Sequence, residues 1–104
     1  MLSKFLEILK TEYSDTFDDL RKNRMVTSFF KYGPVKKNYT EGHIDAVGSL
    51  EKRLQMYKDT GNTEYLCDIA NFAMIEFMYP QHTDARFTAV DDGESHIVGK
   101  GVNQ

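Results

Sequence analysis

Apolar residues recur at helical spacing through most of the chain up to Pro80. Leu2, Phe5, Leu6 and Leu9 predict a helix from about Ser3 to Glu12. The pattern continues through Tyr13, Phe17 and Leu20, and Ser14 or Thr16 can cap a restart, so a break is expected near Ser14. The second piece carries Asp15, Asp18 and Asp19 early and Arg21, Lys22, Arg24 and Lys31 late, the charge order that a helix dipole favours. Met25, Val26, Phe29 and Phe30 close it in a cluster, and Tyr32-Gly33-Pro34 breaks it. Thr40 can cap a further helix from about Glu41 to Lys58, with Ile44, Val47, Leu50, Leu54 and Tyr57 as its buried stripe. Gly48 inside that helix costs roughly 1 kcal/mol against Ala, which points to close approach of a neighbouring helix or a ligand.

The stretch from Asp59 to Pro80 organises the rest. Gly61 in the turn Thr60-Gly61-Asn62 can take the left-handed conformation that closes one helix, and Asn62 or Thr63 can cap the next. That helix is expected from about Thr63 to Tyr79 and stops at Pro80. Leu66, Ile69, Ala70, Ala73 and Phe77 form one wide apolar face, with Tyr65 and Phe72 on one flank and Met74 on the other. A helix this apolar is normally central and buried. Glu64, Asp68 and Asn71 share one narrow polar stripe. Glu76 projects elsewhere, where a carboxylate needs a bonding partner. The stripe is either the helix's wet edge, with Glu76 meeting an Arg or Lys, or one wall of a polar pocket between helices. Beyond Pro80 large apolar residues thin out to Phe87, Val90, Ile97 and Val98. An irregular tail follows from this, with residues 90–92 and 96–98 extended and with His82, Arg86 and Phe87 folding over one end of the central helix. The expected architecture is all-α: a small antiparallel helical bundle of about four helices over residues 1–80 with an irregular tail over 81–104. Apolar faces on such helices favour pairing into a homo-oligomer.

The chain has 104 residues, a net charge of −3 and thirteen Phe and Tyr with no Trp. Mild acidity argues against a general nucleic-acid coat. A single cysteine excludes an internal disulfide and a cysteine-based zinc site, leaving Cys67 as a small core residue. No apolar run is long enough for a bilayer and no basic-then-apolar leader is visible, so the expected location is the cytoplasm, with no membrane partner. His43, His82 and His96 show no metal-ligand spacing, Gly99-Lys100-Gly101 is no phosphate loop, and neither Cys67 nor any serine sits in a nucleophile setting. The segment KYGPVKKNYT is the most basic and aromatic. Lys31, Lys36 and Lys37 stand among Tyr32, Tyr39 and Asn38, a mixture that can neutralise phosphate, stack a base and read a base edge. A solvated loop with its tyrosines packed on the core is the alternative. Arg53 can reach an anion or pair with a surface carboxylate. Glu64 and Asp68, one turn apart, could supply half of a magnesium cage. The preceding helix offers Glu41, Asp45 and Glu51, of which Glu41 and Asp45 would lie nearer to Glu76 than to Asp68, so the cage is incomplete.

The run from Lys31 to Met78 resembles small, mostly uncharacterised bacteriophage proteins. More distantly it is similar to phage dATP/dGTP diphosphohydrolase-like proteins and to all-α NTP pyrophosphohydrolases of MazG type. The matching elements are Lys31-Tyr32-Gly33, Asn38-Tyr39, Gly42, Ala46 and Thr60-Gly61, over about half the chain. The diphosphohydrolase-like proteins carry histidines where this chain places Leu50 and Glu64. Against the MazG pattern, the Glu64–Asp68 spacing is one residue too long for ExxD and Glu51 lacks an ExxE partner. The resemblance thus implies a retained scaffold without its metal cage, able to bind a nucleotide without cleaving it.

The function expected from residues and resemblance together is a phage-encoded, non-enzymatic binder of a nucleotide-derived anion, acting in the host cytoplasm as a sponge for a defence signal. Lys36, Lys37, Arg53 and Arg86 would neutralise phosphate; Tyr32, Tyr39 or Phe87 would stack the base; Asn38, Asp68 or Asn71 would select it. This reading has no catalytic residue and no cofactor. One alternative is a Mg-dependent pyrophosphohydrolase using Glu64, Asp68 and Glu76. Another is a protein-protein inhibitor of a host factor whose acidic residues Asp15, Asp18, Asp19, Asp91, Asp92 and Glu94 meet a basic surface.

Overall fold

Ser14 and Gly33 set the ends of the longest helix. The structure, a computed structural model, describes residues 2–90, and these are all-α. The order is α1 (Leu2–Glu12), α2 (Asp15–Tyr32), α3 (Val35–Thr40), α4 (Ala46–Thr60) and α5 (Glu64–Met78). The break near Ser14 is present, and its hydroxyl accepts the N–H of Phe17 at 3.0 Å. Gly33, at φ 86, ends α2 by donating its N–H to Phe29 O at 2.8 Å.

The segment after Gly33 departs from expectation. KYGPVKKNYT is not a loop: Val35–Thr40 forms α3, with Pro34 as its N-cap residue. Thr40 is therefore the last residue of a helix, its hydroxyl bonded back to Lys36 O at 2.7 Å, and does not cap the next one. Gly42 (φ 78) turns the chain, and α4 starts only at Ala46, where the Asp45 carboxylate accepts the N–H of Gly48 at 2.9 Å. The Gly48 position also has a different reason from the one expected. A Cβ there would lie 2.3 Å from Asp45 Oδ2, so its close neighbour is the cap, not another helix or a ligand.

Thr60-Gly61-Asn62 makes the expected hairpin. Gly61 is left-handed at φ 74, and Asn62, not Thr63, caps α5 by accepting Glu64 N–H at 3.0 Å. The principal packing is α4 on α5, with α2 on α5 next. The buried apolar residues are Tyr39, Ala46, Cys67 and Ile75, and Met25, Val35, Ile44, Phe72 and Tyr79 pack around Tyr39, Ala46 and Ile75.

The orientation of α5 is the main correction. Its buried residues are Cys67, Asn71 and Ile75, on the side that carries the polar stripe. The wider apolar face is turned away, so that Ala73 is exposed and Phe77 is 75% exposed. Polar groups can face inward here because α2 and α4 offer them partners, as the next section describes. After α5, Gln81 stays tied to the bundle through its N–H to Glu76 at 2.9 Å. Of the expected extended pieces, Val90 is in no strand; residues 91–104, with His96, Ile97, Val98, Asp91, Asp92, Glu94 and the Gly99–Gly101 segment, lie outside the described residues.

Candidate functional site

A cleft of about 840 Å³ opens between α2, α3, the start of α4 and α5. Its floor is the polar stripe of α5. Asp68, with a side chain only 14% exposed, accepts Arg24 Nε at 2.6 Å and Nη2 at 3.3 Å. The same guanidinium reaches Glu64 through Nη1 at 2.9 Å, and the Asp68 bond, above all, raises the Arg24 pKa further. Arg24 therefore holds its charge at any ordinary pH. From α4, Arg53 brings Nε to 3.5 Å of Asp68 Oδ2 and lays its guanidinium 5.6 Å from the Phe72 ring centroid. Its terminal nitrogens have no hydrogen-bond partner among the described residues.

Asn71 is the most informative residue here. It is buried, and its Nδ2 donates to Arg21 O at 2.9 Å, which fixes the orientation of the amide. Its Oδ1 is buried without any hydrogen-bond partner. A buried, unpaired acceptor costs roughly 1–3 kcal/mol, so a group that donates to it gains correspondingly. At the rim, Lys31 lies 5.3 Å from the Tyr32 ring centroid and has no ion pair among the described residues. Asn38 Nδ2 donates to Tyr32 O at 2.8 Å, which holds the corner between α2 and α3. Among lining side chains, the permanent cations Arg24, Lys31 and Arg53 face two carboxylates, Asp45 and Asp68. The cleft is thus locally positive in a chain of net charge −3.

Of the residues expected to bind a ligand, Tyr32, Asn38, Arg53, Asp68 and Asn71 line this cleft together. Lys36 and Lys37 are exposed on α3 and do not line it. Tyr39 is fully buried and its hydroxyl donates to the Glu76 carboxylate, so its ring packs in the core. Arg86 bonds Asp84 O at 2.9 Å and Phe87 is 84% exposed; neither comes to the cleft. Lys31, grouped in the sequence with Lys36 and Lys37 as able to neutralise phosphate, is the one of the three that lines the cleft. Arg24 is the cleft cation that the sequence does not single out, because its charge fits the helix-dipole order of α2 and gives no reason to aim it at α5.

Glu64, Asp68 and Glu76 are not brought together. The first two share Arg24, while Glu76 binds Tyr39 and the Gln81 N–H, so its partner is a phenol and not the expected Arg or Lys. The Tyr39 bond, then the Gln81 N–H, hold the Glu76 pKa below its usual value. Burial, with the Glu76 carboxylate adding to it, pushes the Tyr39 phenol up to about 12. Among the described residues no group of three or more His, Cys, Asp or Glu is placed to hold a metal ion. In the acidic patch, Asp18 is engaged by Arg21 at 2.6 Å and Lys22 at 3.0 Å. No helix among the described residues is long and apolar enough to cross a membrane. No known protein family, curated protein or solved structure matches the chain.

Proposed function

We propose that the chain binds a small nucleotide-derived anion in the cleft between α2 and α5 and does not cleave it. The observation that carries this is Asn71, a residue lining a locally positive cleft whose Oδ1 is a fixed and buried acceptor without a partner. An exocyclic amine of a base is the natural donor to it. Arg53, through its unpartnered terminal nitrogens, and Lys31 neutralise phosphate. Tyr32, exposed at the rim, offers a ring face for stacking. Asp68 holds Arg24 and Arg53 in place and is a positioning residue. In the setting implied by the resemblance, a phage protein in an infected host's cytoplasm, such binding would withhold a defence signal from its sensor.

Calorimetry against a panel of linear and cyclic nucleotides tests this. Saturable heat with at least one amino-bearing nucleotide is expected, and Arg53→Met should weaken that binding by about 10- to 150-fold, the equivalent of roughly 1.5–3 kcal/mol for a charged hydrogen bond. No heat with any nucleotide refutes the reading. The hydrolase alternative has less support, because its three carboxylates do not converge.

A further inference from the structure

Helix α1 is strongly amphipathic yet unpartnered. Leu2, Phe5 and Leu6 on its apolar stripe are 71%, 58% and 52% exposed, and no residue of the helix is buried. A second apolar feature lies on the same chain. Phe17 and Leu20 of α2 and Leu66 and Cys67 of α5 form the bottom of a groove with a polar rim. The groove follows α2 from Thr16 to Thr27, about 16 Å at the helical rise, and the 11 residues of α1 span the same length.

We infer that the α1 helix of a second copy of this chain seats in this groove, and that the exchange is reciprocal. The chain's own α1 is held off the groove, because it joins α2 through Tyr13 and Ser14 alone and Ser14 is fixed as the α2 cap. A two-fold pair satisfies both chains at once, since each copy carries one helix and one groove.

The surface area supports a second copy. The chain exposes 8758 Å², whereas a folded monomer of its 12.0 kDa mass exposes about 6,000 Å². Setting aside about 2,200 Å², the surface of an unfolded chain of the 15 residues outside the described part, leaves about 6,600 Å², against about 5,400 Å² for a folded monomer of the remaining mass of about 10.4 kDa, an excess of about 1,200 Å². A standard stable interface takes roughly 800 Å² from each partner. The excess is therefore of the size that a dimer covers.

Leu20, 52% exposed, lies in the groove and serves as a reporter position, whereas Cys67 is buried beneath it. The test is mild oxidation of the full chain carrying Leu20→Cys and Cys67→Ser together with Leu6→Cys, with Phe5→Cys and Leu9→Cys as parallel α1 variants, read on a non-reducing gel beside sedimentation of the unmodified chain. The expected result is a dimer in sedimentation and a covalent dimer with at least one α1 variant, lost when the Leu20→Cys change is left out. A monomer in sedimentation overturns the inference. So does a dimer in which no α1 cysteine links to position 20, or one in which the link forms within a single chain.

Discussion

Asp68 accepts one guanidinium from α2 and lies beside another from α4, which makes it the residue that ties three helices to the cleft. Arg24→Met leaves a largely buried carboxylate with only the looser Arg53 contact. Because the Arg24 side chain is 40% exposed, solvent screens much of the pair, and the loss should be about 1–2 kcal/mol in a urea titration. Arg53→Met, which leaves the closer Arg24 bonds intact, should cost less. A second residue pair gives a pH dependence. Tyr39 has a raised pKa, so the folded state binds its proton more tightly than the unfolded state. That contribution is complete below pH 10 and is lost as pH rises towards about 12. In an absorbance titration of phenolate, a late step towards pH 12 should belong to Tyr39, and Glu76→Gln should bring that step earlier. Glu76 has the opposite sign: its lowered pKa adds stability above the usual value of 4.5 that is lost on acidification. The polar stripe of Glu64, Asp68 and Asn71 was legible in the sequence. Its partners were not, since nothing in the pattern of α2 distinguishes Arg24 from the neighbouring cations Arg21 and Lys22.

Helix ends follow local chemistry, and the chain shows where that chemistry can be read. Ser14, Gly33, Gly61 and Pro80 mark boundaries that fall within a residue or two of expectation. Helix α3 escaped because a segment of only six residues, VKKNYT, shows too little periodicity and its basic, polar composition suits a loop equally well. With α3 unseen, Thr40 was available as a cap, and the start of α4 moved with it. Gly48→Ala tests the revised start. The gain of roughly 1 kcal/mol in helix propensity should be offset by loss of the Asp45 cap, which is worth about the same, leaving the thermal midpoint nearly unchanged. An increase as large as propensity alone gives would mean that the cap contributes little. Gly61→Ala should instead destabilise, by about 1 kcal/mol, since a side chain there must adopt φ 74. Equal stability of the two chains in a urea titration would contradict the left-handed turn.

The molecule turns Asp68 and Asn71, on the polar stripe of α5, inward and much of its apolar surface outward. Hydrophobic periodicity finds helices correctly here. It assigns the inward face of α5 wrongly, because it cannot know that Arg24, Arg53 and the Arg21 carbonyl wait on the other side. With Tyr39, Ala46, Cys67 and Ile75 as the buried apolar residues among those described, folding should draw on contacts between copies. The thermal midpoint is then expected to rise with protein concentration, and a midpoint independent of concentration would count against paired copies. The cleft itself is tested most directly by following side-chain amide, guanidinium and lysine ammonium resonances in a nuclear magnetic resonance titration with the nucleotide that gives calorimetric heat. Saturating shifts at the Asn71 side-chain amide and at Arg53 and Lys31 are predicted; shifts confined to Lys36, Lys37 and Arg86, with Asn71 unmoved, would contradict a ligand in this cleft.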